Sequence, residues 1–246
     1  MIAPFSQHFS KKHKRKYFYN EVTKESLWQE PHKIPNVVII VPFMDICKNC
    51  NKRNITKCRH KQLIRFKNHI KNLCSFFKQK WIFNLSVIII NQNINENLKF
   101  NRGKLLNVGF NIFHTQEFVS PELFFNLDAL HYIFHDVDLL PNKELFQAYF
   151  VKPTNQALHL ASSWNRYGNV KRNIGDLPYV GGILSLSREQ FIKTNGFPNN
   201  FYGWGGEDDE FAMRLRDADI ETWLYMKNKN CIRALEDMNL AKKMNH

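Results

Sequence analysis

The chain has no run of 18 consecutive apolar residues, so no segment of it reads as a membrane span. Its first ten residues also lack the apolar stretch of a secretory signal. Its five cysteines (Cys47, Cys50, Cys58, Cys74 and Cys231) are odd in number and three of them are clustered, which is poor material for a disulfide framework. Together these absences predict a reducing, cytoplasmic setting, in which the sequon Asn54-Ile55-Thr56 is a chance match. No internal repeat is present, which excludes a solenoid or array.

What is present is enough apolar material for one substantial core and a small appendage: 246 residues, 43% hydrophobic and 14% aromatic, with 21 Phe and 5 Trp. The formal charge of +13 attracts polyanions of every kind, from nucleotide diphosphates to membranes, and does not choose among them. Nucleic acid is not the expected partner. The distribution says more than the total: Lys11, Lys12, Lys14, Arg15 and Lys16 make a basic cluster, the stretch 48–80 is basic again, and Glu207, Asp208, Asp209 and Glu210 form a compact acidic run.

Residues 1–35 read as a separate small β unit. The run 16–19, the polar turn 20–23 and a second short run ending at Trp28 suggest a hairpin, closed off by Pro31 and Pro35. So short a unit has little core of its own. Residues 36–246 form the main domain. It opens with the apolar run 37–41, a strand buried on both faces. From Leu63 onward Phe66, Ile70, Leu73 and Phe77 recur at helical spacing, and 85–90 is a second buried strand. Strand, helix and strand in this order predict a βαβ unit of an α/β fold. Further strands are expected at 131–134 and 179–186, a short helix at 188–194, and a helix over 208–216 with acids in its first turn.

Two features carry chemistry. Asp136-Val137-Asp138 follows directly on a strand, at the carboxyl end where open α/β sheets bind ligands. Apolar residues on both sides bury its base and leave its tip exposed. Its carboxylates either share one side or diverge onto different parts of one ligand; as hard oxygen ligands they suit Mn²⁺ or Mg²⁺ bridging to a diphosphate. The second feature is 201–210, in which Gly203, Gly205 and Gly206 surround Trp204 ahead of the four acids. That composition makes a mobile or sharply turned loop with one flat ring able to stack on a sugar. A carboxylate from this run can take the proton from an attacking hydroxyl while a metal at the D-x-D neutralises the departing diphosphate, which accounts for both ends of an inverting sugar transfer.

Four blocks in order, 100–110, 135–141, 179–184 and 196–210, resemble the signature blocks of the β-1,4-galactosyltransferase family over roughly residues 36–225. His135 and the Gly181-Gly182-Ile183-Leu184 block lean towards the xylosylprotein branch, whereas Gly205-Gly206 follows the N-acetylglucosamine-acceptor branch. The resemblance implies a GT-A type nucleotide-diphospho-sugar transferase fold with a mixed, mostly parallel central sheet. It also implies transfer of galactose from UDP-galactose, in β-1,4 linkage, to a xylose or N-acetylglucosamine hydroxyl of a glycan acceptor. Asp208 would be the base. Pro42, Phe43, Phe100, Arg102, Asp136, Val137, Gly182 and Trp204 would hold the donor, and Tyr179, Trp204, Glu207 and Asp209 the acceptor side. Asp138 would bind Mn²⁺, supported by Asp136.

The chain departs from the family in three ways. After the first strand it reads Pro42-Phe43-Met44-Asp45, without the two arginines that meet the nucleotide. The family's later metal ligands are a Met and a His or a His-x-His pair; here that window holds Asp237 and Met238 but no histidine, and Asp237, Met238 or His246 would have to substitute. The family's N-terminal anchor is also missing; with an Asn-, Lys- and Ile-rich composition, this suits a protozoan or large-virus protein. Two smaller features stand apart. Tyr17-Phe18-Tyr19-Asn20, Thr23, Trp28 and Pro31 resemble a WW domain lacking its first tryptophan, with Phe5 as stand-in; Tyr19 and Trp28 would grip a proline-rich peptide, or the preceding basic stretch would touch phosphates. Cys47, Cys50, Cys58 and His60 have spacings within reach of a structural Zn²⁺ site. The competing expectations are a catalytically weak transferase fold serving as a peptide- or polyanion-binding module, and a transferase with another UDP-sugar donor.

Overall fold

The structure is a computed structural model that describes residues 5–20, 24, 26–28, 36–45, 58–79, 82–93, 99–114, 130–161, 173–174, 176–225 and 231–235. The hairpin expected near the start is part of a three-stranded antiparallel sheet, in which β1 (Phe5–Ser10) pairs with β2 (Arg15–Asn20) and β2 with β3 (Ser26–Leu27). Strand β1 is the element of this small sheet missed from the sequence. The ring beside Trp28 is Tyr17, at 5.8 Å, and not the expected Tyr19, which meets His8 edge-on at 6.3 Å.

The main sheet grows from β4 (Asn36–Phe43), whose eight residues are all buried. Its side chains alternate between two cores, with Val37, Ile39, Val41 and Phe43 on one face and Val38 and Ile40 on the other. The first core is covered by α1 (Arg59–Lys78) through Phe66, Ile70, Leu73 and Phe77, with Leu63 partly buried against it, the stripe the periodicity predicted. After β5 (Asn84–Asn91) comes α2 (Arg102–His114), which covers the second core with Leu105, Leu106, Phe110 and Phe113.

The chain then returns through β6 (Leu130–His135), β7 (Leu139–Pro141), α3 (Lys143–Ala148) and β8 (Gln156–His159). A small pair, β9 (Asn173–Ile174) and β10 (Leu177–Pro178), precedes β11 (Ile183–Ser187), α4 (Arg188–Lys193), α5 (Glu207–Asp217), β12 (Glu221–Leu224) and β13 (Ile232–Ala234). The strand expected over 179–186 starts late because Gly182 adopts φ 83° and turns the chain. The six-stranded sheet runs β12-β8-β11-β6-β4-β5, with β4–β5, β4–β6 and β8–β12 parallel and β11 antiparallel to both neighbours. Among the described residues, no helix is long and apolar enough to cross a membrane.

This topology brings three strands together at one end of the sheet. Strand β6 runs parallel to β4, so Asp136 leaves β6 at the end where β4 delivers Pro42 and Phe43. Strand β11 runs the other way and pairs Ile183 with His135, so Gly181 and Gly182 enter at the same end.

Candidate active site

At that end the guanidinium of Arg102, the first residue of α2, joins two acids that are far apart in sequence. Its Nε donates to Asp136 Oδ1 at 2.7 Å and its Nη1 to Asp208 Oδ1 at 2.8 Å. Arg102 is buried, and its guanidinium carbon lies 5.7 Å over the ring of Phe197, which in turn stacks on Phe211 of α5 at 4.0 Å. Burial works against the cation, but the carboxylates of Asp136, Asp208 and Glu207 outweigh it and hold its pKa above the ordinary arginine value. The D-x-D turn and the acidic helix therefore line one cleft, one guanidinium apart.

Asp208 lies in the first turn of α5, with Glu207, Asp209 and Glu210. Gly206 starts that helix at φ 93°, a backbone that favours glycine, and the N-terminal dipole offsets part of the mutual repulsion of the acids. Burial pushes the Asp208 carboxyl up to about 7; Arg102 opposes this, while Glu207, Asp136 and Asp209 add to it. A carboxylate titrating there can accept a proton near neutral pH and release it again.

The floor of the cleft is a close backbone approach. A Cβ added to Gly181 would lie 2.1 Å from Asp208 Oδ2 and 2.2 Å from the Tyr179 hydroxyl, so a side chain here would displace both groups. Gly182 accepts a hydrogen bond from Asp136 N at 2.9 Å, and buried His159 donates from Nε2 to Gly181 O at 2.8 Å. His135 fixes the other side: Nδ1–H donates to Asp136 O at 2.8 Å, leaving Nε2 to accept from the Tyr149 hydroxyl at 2.7 Å. Sequence reasoning missed His159 and Tyr149, since nothing in their local wording distinguishes them from core residues.

The wall above is carried by α2. Phe100 O accepts from Gly203 N at 2.8 Å, Asn101 donates to Asn199 O at 2.7 Å, and Asn107 both donates to Phe197 O and accepts from Phe197 N. These bonds anchor the base of the 201–206 loop while leaving Trp204 70% exposed. Tyr179 is half-buried, with its ring edge-on to His159, and Asp209 is half-buried beside the buried Glu207. Phe43 and Val137 point into the core, so Val137 can meet a ligand only through its backbone.

Asp138 differs from expectation. Its tip is not exposed but buried, 4% accessible, because the chain turns at 137–138, Leu235 N donates to Asp138 O at 2.8 Å, and Arg59 Nη1 stands 3.5 Å from Asp138 Oδ2. The two aspartates thus diverge, Asp136 to Arg102 and Asp138 to Arg59. Basic charge at this turn comes from Arg59 at the start of α1, far along the chain from the end of β4. The buried hard oxygens of Asp138 fit a divalent cation in kind, although no group of three ligating residues gathers among the described residues. Asp237, Met238 and His246 lie outside the described residues, as do Cys47 and Cys50. Of the other two residues named for zinc, Cys58 is buried at the start of α1 and His60 stands 3.6 Å from Asp45.

The chain is similar to known proteins in sequence and in fold. A family profile described as the N-terminal domain of galactosyltransferase matches residues 169–238, which include Gly181, Trp204 and Asp208. Human beta-1,4-galactosyltransferase 4 is 38% identical over 187 residues, covering 76% of this chain and 44% of that protein. Beta-1,4-galactosyltransferase 7 of Drosophila melanogaster is 32% identical over 203 residues, covering 78% and 49%. The chain thus spans less than half the length of these curated relatives. Among solved structures, the catalytic domain of the Drosophila beta-1,4-galactosyltransferase 7 in complex with xylobiose superimposes with a TM-score of 0.60 at 27% identity, over 83% of this chain and 72% of that one. A mutant form of that enzyme, complexed with manganese, UDP-Gal and xylobiose, gives the same TM-score over 85% and 74%. The sheet, its mixed strand order and its signature blocks are those of a GT-A type transferase domain, and the chain belongs to the β-1,4-galactosyltransferase family.

Proposed function

We propose that the chain transfers galactose from UDP-galactose to a xylose hydroxyl of a glycan acceptor, inverting the anomeric centre to give a β-1,4 linkage. The observation that carries this reading is the Arg102 bridge, which holds a carboxylate from the D-x-D turn and a carboxylate from α5 in one cleft. Asp208 takes the proton from the acceptor hydroxyl as its oxygen bonds to the anomeric carbon. The bond to the diphosphate breaks on the opposite face, and UDP departs with the electron pair. Arg102 and Arg59 supply positive charge to the diphosphate, and Trp204 folds over the sugar as an apolar lid. Mn²⁺, when bound through Asp138, would neutralise charge on the leaving group. Leu235, whose N–H meets Asp138 O, is followed in the sequence by Asp237 and Met238, the residues expected to complete the ligand set. Xylose is favoured over N-acetylglucosamine by the resemblance to the Drosophila complexes with xylobiose.

The reading of a silent fold rests on the same ion pairs, since each key acid already has a cationic partner. A panel separates the two: UDP release from UDP-galactose, UDP-glucose and UDP-N-acetylgalactosamine, each with Mn²⁺, with and without a xyloside or an N-acetylglucosaminide. Acceptor-dependent release from UDP-galactose with the xyloside is expected. No acceptor-dependent release from any donor would leave the silent fold.

A further inference from the structure

Strand β5 is an outer strand of the six-stranded sheet, and it carries none of the devices that close off an edge. Its eight residues include no charge and no proline. Its pairing with β4 runs without a bulge from Asn84 to Asn91. Every second residue of such a strand turns its N–H and C=O away from its neighbour, and no strand among the described residues meets those groups on the outer side of β5. Val87, in the middle of the strand, is 36% exposed.

Two helices stand over this edge and give it unlike walls. Helix α1 lies on the face of Leu85 and Ile89, which pack against the same core. One flank of α1 is turned towards the middle of the sheet: His69 Nε2 is 2.6 Å from Pro141 O of β7, and the Lys143 ammonium of α3 lies 3.6 Å over the Phe76 ring. At about 3.6 residues per turn, Lys67, Lys71 and Lys78 project from the opposite flank, out past β5, and all three are exposed. No acid nearby in the chain offsets them, since the sequence holds no Asp or Glu from Ile46 to Asn95. Helix α2 lies on the other face, where a Cβ on Gly109 would touch Ile40 of β4 and Ile90 of β5. Its Asn107 bonds Phe197, which packs on Phe134 of β6, so that flank also faces the middle of the sheet. Val108 and Ile112 are on the flank towards the edge, with Val108 39% exposed. The free strand thus lies between a cationic wall and an apolar one. A plain polyanion would use only the first, and a second copy of β5 would bring two cationic walls together without an acid between them. An extended segment turns successive side chains to opposite faces, so one in which acidic and apolar residues alternate satisfies both walls while its backbone continues the ladder.

We propose that the outer edge of β5 takes up an extended segment of a partner protein in which acidic and apolar residues alternate, added as a further strand with its acids beside α1 and its apolar side chains beside α2. The proposal stands independently of the transferase reading. Fluorescence anisotropy on the full chain tests it with three dye-labelled peptides of the length of β5: one alternating glutamate with valine, one of the same composition with the two residue types in separate blocks, and the alternating peptide N-methylated along its whole backbone. The first should bind at least about ten-fold more tightly than either of the others, since only it can make both the ladder and the cross-strand pairs. The double variant Lys67→Glu, Lys71→Glu and the single variant Val108→Glu should each lose that advantage, with thermal midpoints close to wild type because these side chains are exposed. Equal binding of the block peptide or of the N-methylated peptide would reduce the surface to general charge attraction and overturn the proposal. So would binding of none of the three, or unchanged binding in the double lysine variant. A dimer of the chain alone in analytical ultracentrifugation, dispersed by Val87→Lys, would give the edge to a second copy and overturn it as well.

Discussion

Replacing Arg102 by Met removes the one group that touches both halves of the cleft while keeping most of the side-chain volume. Its partners are largely buried, with side-chain exposures of 27% for Asp136 and 15% for Asp208. Stripping the cation from a buried pair typically costs about 3–5 kcal/mol, because a desolvated carboxylate is left uncompensated. That cost should lower the thermal midpoint, but the more specific signature lies in the pH profile. Arg102 is the group that pulls the Asp208 pKa down against burial and its acidic neighbours, and even so that pKa stands at about 7. Without Arg102 it must rise, and the base stays protonated to higher pH. The wild type should gain kcat/KM as pH rises through about 7. The variant should repeat that rise at higher pH, and on the acid side each unit of displacement lowers the rate about ten-fold. The assay is UDP release from pH 5 to 9 at subsaturating donor. An acid limb that stays in place while the whole curve drops would refute the reasoning, since Arg102 would then be holding donor without tuning the base.

Three further outcomes are expected. Gly181→Ala places a methyl 2.1 Å from Asp208 Oδ2, so the acid must move; kcat should fall at least about 100-fold, as for misplaced catalytic groups, in steady-state kinetics of UDP release. Trp204→Ala removes a side chain that is 70% exposed, so the unfolding free energy should stay within about 0.5 kcal/mol of wild type while kcat/KM for the acceptor falls, a split that calorimetry and kinetics read separately. His159 is held neutral, its pKa pushed down to about 4 by burial against an unfolded value of about 6.5. Its contribution to stability is therefore complete above that unfolded value and lost as pH falls through about 4. His159→Phe should flatten the dependence of the thermal midpoint on pH in this window, and an unchanged slope would refute the assignment.

How much of this was legible in the sequence depends on whether a residue's partners lie nearby in the chain. Strand β4 and helix α1 were legible because their burial imposes a run and a stripe that need no distant information. The acidic turn of α5 and the D-x-D at the end of β6 were legible as composition at a punctuated place. Helix α2 was passed over as an element, since Gly103 and Gly109 weaken its helical signal, and only the resemblance gave Arg102 a role. Arg59 was invisible: it serves a site near the end of β4 but follows in the chain only after a long cysteine-bearing segment. The buried state of Asp138 could not be read either, because its cover is Arg59 and the backbone of Leu235, both supplied by the fold.

The most direct test is turnover of UDP-galactose by Asp208→Asn with Mn²⁺ and a xyloside. Loss of a positioned general base removes about 10²–10⁴ in rate, so kcat should fall by at least that factor while UDP affinity, measured by titration, is kept. A variant that turns over at the wild-type rate would contradict the assignment of Asp208 as the group that deprotonates the acceptor.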